Sequence, residues 1–433
     1  MARTAYDPSH LPRPMALASI GLLMKTLPLA TVRKALAAEG KESQRERQLP
    51  AQFLVYLVVA LSLYMPSALR EVLRTVMEGL RTLEGPGGGE VSIATKGAIS
   101  RARTRLGWKV MAALFRSVAR PLATEKTRGA WYRGWRLMVL DGSSLALQHT
   151  EENAQEFGLP DSKHGAGAFP LLRLVALVEA GTRVVIAAAF AGWKTAEMSL
   201  AQQVLKALKP GMLLLEDRGY VGYGWWKEVA ATGADILCRV RKNMRLPCLE
   251  RLSDGSFLSV LRPPKGDPGA PIRVRVIEYQ LEGVPNAAPR YRIITTILDP
   301  QVAPARELAA LYHERWEVEI LLDEFKTHLR GGSQVLLRSK TPHLVRQEVY
   351  GLLLAHYTVR AVMHEAALQA EEDPDRISFL HTVRVLRRKL PQAASFPPSA
   401  PAAVVSDHPR GGPGRTRHLQ PRPKRSPRRP PAH

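Results

Sequence analysis

Cysteine is nearly absent from this chain of 433 residues. Its two cysteines, Cys238 and Cys248, sit in no Cys/His pattern. That argues against a disulfide framework and against a zinc site, and it fits a reduced compartment. The first residues do not have the shape of a signal peptide either: Met1-Ala-Arg-Thr-Ala-Tyr-Asp-Pro8 is polar. Long apolar runs are missing as well. The longest, Phe53–Met65, lies between Pro50 and Pro66 and falls short of the ~20 residues that span a bilayer. A buried helix is expected there, and a cytoplasmic protein without membrane contact. The glycine-rich stretch Glu84-Gly-Pro-Gly-Gly-Gly89 lacks a following Gly-Lys-Ser/Thr, so it is a loop and not a phosphate cradle.

Acidic residues are also in short supply. Lys and Arg number 62 against 39 Asp and Glu, a formal charge of +23. The stretch from Pro391 to His433 supplies only +7 of this, which leaves +16 on the rest of the chain. A basic tail therefore does not account for the excess. The charge is the footprint of a polyanionic partner, DNA or RNA.

The hydrophobic rhythm divides the chain. Residues 1–126 read as helical, with apolar positions at helical spacing in Ala16–Ala38, Gln52–Met65 and Ser67–Leu83. Within this part Ser100 is a candidate helix cap. Lys96, Arg101, Arg103 and Arg105 follow one another closely, as phosphate contacts of an all-α DNA-binding domain would. Between 127 and 240 the pattern changes to short strands: Trp135–Leu140, Leu171–Glu179, Arg183–Phe190, Met212–Leu215 and Ala234–Val240. Gly181-Thr182 marks a hairpin turn, and Ala196–Leu208 and Trp225–Ala231 read as helices. Three strands, helix, strand, helix, strand is the order of a ribonuclease-H-like core, an α/β fold with a mixed sheet and flanking helices. Residues 241–304 alternate like antiparallel strands and read as a β-rich insertion that interrupts this core. Helices return over 305–390. Residues 391–433 hold 11 of the 33 prolines, a composition that cannot bury enough apolar surface to fold alone.

Three carboxylates stand out against this pattern. Asp141 and Asp217 each follow a short apolar run, as acids do at the ends of buried strands. Glu216, next to Asp217, should face the other side of its strand and be structural. The third acid lies in a helical pattern. At about 100° per residue, Tyr312, Arg315, Glu319 and Lys326 share an arc of about 60°. Glu317 and Glu324 fall on the opposite sector. Asp323 falls on the same face as Glu319, so periodicity alone leaves the choice between them open. The spacing also permits an ordinary salt bridge between Arg315 and Glu319.

Tyr312, two residues, Arg315, three residues, Glu319, six residues, Lys326 resembles the Y-x2-R-x3-E-x6-K signature of DDE transposases of the insertion-sequence-four family. Asp141-Gly-Ser143 and Asp217-Arg-Gly-Tyr220 resemble that family's first and second acid motifs. Asn153, Phe157-Gly158, Pro170, Arg173, Gly181-Thr182 and Ile99–Gly107 fit it too, and the resemblance spans roughly residues 10–360. The Pro/Arg-rich C-terminus departs from it. The resemblance implies a catalytic, metal-binding triad of Asp141, Asp217 and Glu319 that holds two divalent cations, magnesium or manganese. It implies Tyr312, Arg315 and Lys326 as contacts to the DNA end, with Arg101, Arg103 and Arg105 as further DNA contacts. The partners implied are double-stranded DNA, as inverted-repeat ends and target, and a second copy in a synaptic homodimer associated with the nucleoid. The rival readings are a catalytically inactive or repurposed transposase that only binds DNA, and a nuclease that cuts without joining.

Overall fold

The apolar run between two prolines becomes an innermost helix. The structure, a computed structural model, describes residues 21–43, 49–65, 67–84, 94–162, 165–241, 243–280, 290–314, 324–329 and 335–389. Its N-terminal part contains α1 (Gly21–Thr26), α2 (Leu29–Ala38), α3 (Ala51–Leu63), α4 (Leu69–Glu84), α5 (Lys96–Leu106) and α6 (Trp108–Val118). Every residue of α3 is buried, as a helix apolar on all sides requires. Helix α5 starts earlier than the sequence suggests. Thr95 caps it by accepting from the Ala98 amide at 3.2 Å, and Ser100 lies inside it.

The next part contains β1 (Trp131–Tyr132), β2 (Trp135–Ala146), α7 (Glu151–Phe157), β3 (Asp161–Ser162), β4 (Gly165–Ala166), β5 (Leu171–Glu179), β6 (Val185–Gly192), α8 (Glu197–Val204), β7 (Met212–Glu216), α9 (Tyr223–Ala230) and β8 (Asp235–Arg239). The strands run in the spatial order β6-β5-β2-β7-β8. β5 is antiparallel to both β6 and β2, whereas β2, β7 and β8 are parallel. This is the mixed sheet that the strand order predicts. β2 shows why its sequence is apolar at consecutive positions. Met138 and Leu140 face α8 and α9, while Leu137 and Val139 pack in the opposite layer.

Strands β9 (Glu250–Arg251), β10 (Phe257–Leu261), β11 (Ile272–Tyr279) and β12 (Tyr291–Thr295) form an antiparallel series. β12 pairs with β8, with Ile294 opposite Cys238. This segment therefore continues the same sheet. Its buried Arg275 donates to the Ser256 hydroxyl at 2.8 Å, to the Ala303 carbonyl at 2.6 Å and to Asp254, whose Oδ2 also accepts from the Ala305 amide at 2.8 Å and so ties the segment to the start of the following helix.

That helix is α10 (Ala305–Glu314); Glu324–Leu329, a π-helical turn, α11 (Pro342–Ala370) and α12 (Phe379–Lys389) follow. Helix α11 packs against α3, α6 and α12. Gly351 lets α3 come close: a Cβ there would stand 2.9 Å from Val58 Cγ1 and 3.0 Å from Ser62 Oγ. Leu54 and Leu57 of α3, Leu352 and Leu353 of α11, and Leu172 and Leu174 of β5 belong to one apolar cluster. The N-terminal helices thus share their core with the C-terminal ones, and residue 126 divides the sequence rather than the packing. A second tie is Glu179, at the end of β5. Its buried carboxylate accepts from the Leu122 and Ala123 amides at 2.9 Å, from the Thr182 hydroxyl at 2.5 Å and from Arg136.

Candidate active site

Asp141 and Asp217 come together because their strands are parallel neighbours. The β2–β7 register pairs Val139 with Leu215. Two residues further along each extended chain, Asp141 stands level with Asp217, on the face of Leu137, Val139, Leu213 and Leu215. Both acids are half-buried. Each has one oxygen held by the amide that follows it: Asp141 Oδ1 accepts from Gly142 at 2.8 Å, and Asp217 Oδ1 from Arg218 at 2.7 Å. These are hard oxygen donors, the type that magnesium and manganese take. Among the described residues, no group of three His, Cys, Asp or Glu completes a metal centre. The third expected acid, Glu319, lies outside the described residues, as do Arg315 and Asp323. Lys326 belongs to the π-helical turn.

The chain leading to Glu319 is positioned on the same face as the two aspartates. Leu308, Leu311 and Tyr312 of α10 share an apolar layer with Val139 and Leu215. On the far side, Phe325 and Leu329 pack in the cluster that includes Leu172, Leu174 and Ala176 of β5. β5 lies beside β2, where Ala176 is the partner of Asp141. Glu324 anchors this turn. It is 3% exposed and accepts from Arg360 Nε at 3.0 Å and lies 3.2 Å from His356 Nε2. Burial raises its carboxyl, but Arg360, His356 and Arg183 outweigh that and hold it below the usual range. Sequence analysis placed Glu324 on the sector opposite Tyr312, Arg315, Glu319 and Lys326 and gave it no role. It did not find the partner. The signal was present, because His356 and Arg360 are one turn apart in an otherwise apolar stretch.

Two expected DNA contacts require correction. Tyr312 is 5% exposed, and its hydroxyl donates to the Glu216 carbonyl at 3.0 Å. It braces the strand end that carries Asp217 from inside the protein. Arg103 is 4% exposed. It donates from Nε to Gln347 Oε1 at 2.9 Å and from Nη2 to Ser339 Oγ at 3.2 Å, so it ties α5 to α11 instead of meeting a phosphate. Its place between Ala102 and Leu106 on the buried side of α5 is the reason. Arg101 and Arg105 are exposed. Glu216 is buried, as expected, and accepts from Trp225 Nε1 at 2.8 Å; burial raises its carboxyl well above the usual range.

Residues 17–116 match the family described as the N-terminal part of the insertion element 4 transposase, and residues 134–357 match the transposase DDE domain. The chain belongs to the DDE transposases of the insertion-sequence-four family. Its action is DNA transposition, and the family implies dependence on a divalent metal. The chain is similar to the transposase InsG for insertion sequence element IS4 of Escherichia coli K12. They share 26% identity over 366 residues, covering 83% of this chain and 80% of that protein. Among solved structures it is similar to piggyBac transposase in a synaptic complex with hairpin DNA, at 12% identity and a TM-score of 0.47, covering 92% and 86% of the two chains. Among the described residues, no helix is long and apolar enough to cross a membrane.

Proposed function

We propose that this transposase binds the inverted-repeat ends of its insertion sequence, hydrolyses the phosphodiester at each end and joins the freed 3′-hydroxyl to target DNA. Water attacks the phosphorus at the element end, and the bond to the 3′-oxygen breaks. That 3′-oxygen then attacks a target phosphorus and displaces a target 3′-oxygen. Two divalent cations bound by Asp141, Asp217 and Glu319 would supply an activated nucleophile and neutralise the leaving oxygen.

The observation that carries this reading is the level placement of Asp141 and Asp217 on the face where α10 leads into the signature segment. In this reading Arg315 grips a phosphate of the DNA end through two guanidinium N–H groups, and Lys326 acts on it as a point charge. Exposed Arg101 and Arg105 contribute phosphate contacts that position the ends. Two ends in one synaptic complex call for a dimer on DNA. The test is a cleavage and joining assay on end DNA with magnesium or manganese. Metal-dependent nicks and joined products are expected. End binding without cleavage would leave a DNA-binding protein only, and cleavage without joining would leave a nuclease.

A further inference from the structure

Behind the two aspartates stands a carboxylate with no assigned role. Glu197 is the first residue of α8, on the side of the sheet opposite the aspartates. Its carboxylate fills the place where a side chain at position 142 would go. A Cβ on Gly142 would lie 2.6 Å from Glu197 Oε1 and 2.7 Å from Cδ. A side chain at position 142 would therefore have to displace the Glu197 carboxylate. The same Oε1 accepts from the Tyr220 hydroxyl at 2.5 Å. Tyr220 is 5% exposed and closes the turn after Asp217, its amide bonding the Asp217 carbonyl at 3.0 Å. One carboxylate thus touches the residue that follows Asp141 and holds the turn that follows Asp217. Those are the places where the Gly142 and Arg218 amides fix one oxygen of each acid.

We propose that Glu197 is a positioning residue of the active site: wedged against Gly142 and bonded to Tyr220, it fixes Asp141 and Asp217 relative to each other. It acts through the backbone of the two motifs and not on the DNA or the metals. The link to metal binding rests on the function proposed above; the link to backbone order does not. Partners that orient the direct ligands of a metal change its affinity by about 10–100-fold when removed.

The test uses the full-length protein and the variants Glu197→Ala, Glu197→Gln, Tyr220→Phe and the double variant Glu197→Ala/Tyr220→Phe. Thermal melting first verifies that each is folded. Manganese affinity is read by titration, and amide exchange is followed by mass spectrometry over residues 136–146 and 212–222. Glu197→Ala and Tyr220→Phe should each weaken manganese binding about tenfold or more. The double variant should be no weaker than the worse single one, because the two residues act as one unit. Glu197→Gln should stay closer to wild type, since its amide oxygen still accepts from Tyr220. Both peptides should exchange faster in Glu197→Ala. Exchange that is unchanged in residues 136–146 overturns the proposal. So does a Gln variant as damaged as the Ala variant, which would make the charge itself a ligand. Asp141→Asn serves as the control. If it leaves manganese binding intact, the metal reading fails, and the exchange measurement alone decides the role of Glu197.

Discussion

Replacing Arg103 by alanine should damage folding, whereas replacing its neighbours Arg101 and Arg105 should damage DNA binding. The three arginines lie within five residues of one basic helix, yet only Arg103 is buried. Truncation leaves Gln347 Oε1 without its donor in a site that is 0% exposed. An orphaned buried acceptor costs about 1–3 kcal/mol, and the lost packing of the arginine stem adds to it. The α5–α11 tie also sits where the N-terminal helices share their core with the C-terminal ones, so the loss should lower the melting temperature of the whole. Arg101→Ala should leave melting nearly unchanged, and Arg105→Ala should lower it less than Arg103→Ala, since Arg105 loses its bond from Nη2 to the Leu49 carbonyl, 3.2 Å away. Each should reduce the slope of binding against salt by about one phosphate contact. Thermal melting and a salt series of end-DNA binding measure the two effects. Wild-type melting of Arg103→Ala together with a reduced salt slope would refute the burial argument and return Arg103 to the DNA surface.

Asp141→Asn, Asp217→Asn and Glu319→Gln should each abolish cleavage of end DNA while gel-shift binding persists, because binding draws on many basic contacts. Cleavage that survives Glu319→Gln but not Asp323→Asn would exchange the third acid. Glu216→Gln should gain stability relative to wild type as pH rises. The folded carboxyl keeps a proton that the unfolded chain gives up above ~4.3, so wild-type stability is fullest below that pH and falls toward the raised folded value. A difference in melting temperature that does not change between pH 5 and 8 would contradict this. Deleting residues 391–433, which lie outside the described residues, should leave melting unchanged and weaken non-specific DNA binding, since +7 of charge goes with them.

The sheet was legible because its strands carry two kinds of signal. β2, β5 and β7 are apolar at consecutive positions, which only burial on both faces explains. β11 alternates apolar and polar residues over Ile272-Arg-Val-Arg-Val276, inside the stretch 241–304 that reads as antiparallel strands. The pairing of β12 with β8 was not legible, because a strand sequence does not name its neighbour. The same limit hides the shared core of α3 and α11, which are separated by 278 residues between Leu63 and Pro342. Apolar faces show that a partner exists and not which segment supplies it. The small residue at Gly351 marks the crossing only once both helices are in place.

In the site, the apolar runs before the two aspartates were readable from sequence, but only Asp217 follows a strand end: β2 continues through Asp141 to Ala146, and the residues that hold the two acids were not legible. Tyr312 shows the difference. Spacing puts it on one helical face with Arg315 and Lys326, and that face was read as turned toward DNA. Tyr312 lies within the layer of Val139 and Leu215, where α10 packs on the sheet, so its hydroxyl meets the Glu216 carbonyl before it could meet a phosphate. The consequence for the site is mechanical. Tyr312 supports the end of β7 from the aspartate face, and the Trp225 indole holds the side chain of Glu216 from the other. Asp217 therefore extends from a strand end that is fixed on both sides, which is the rigidity that its proposed role as a metal ligand requires.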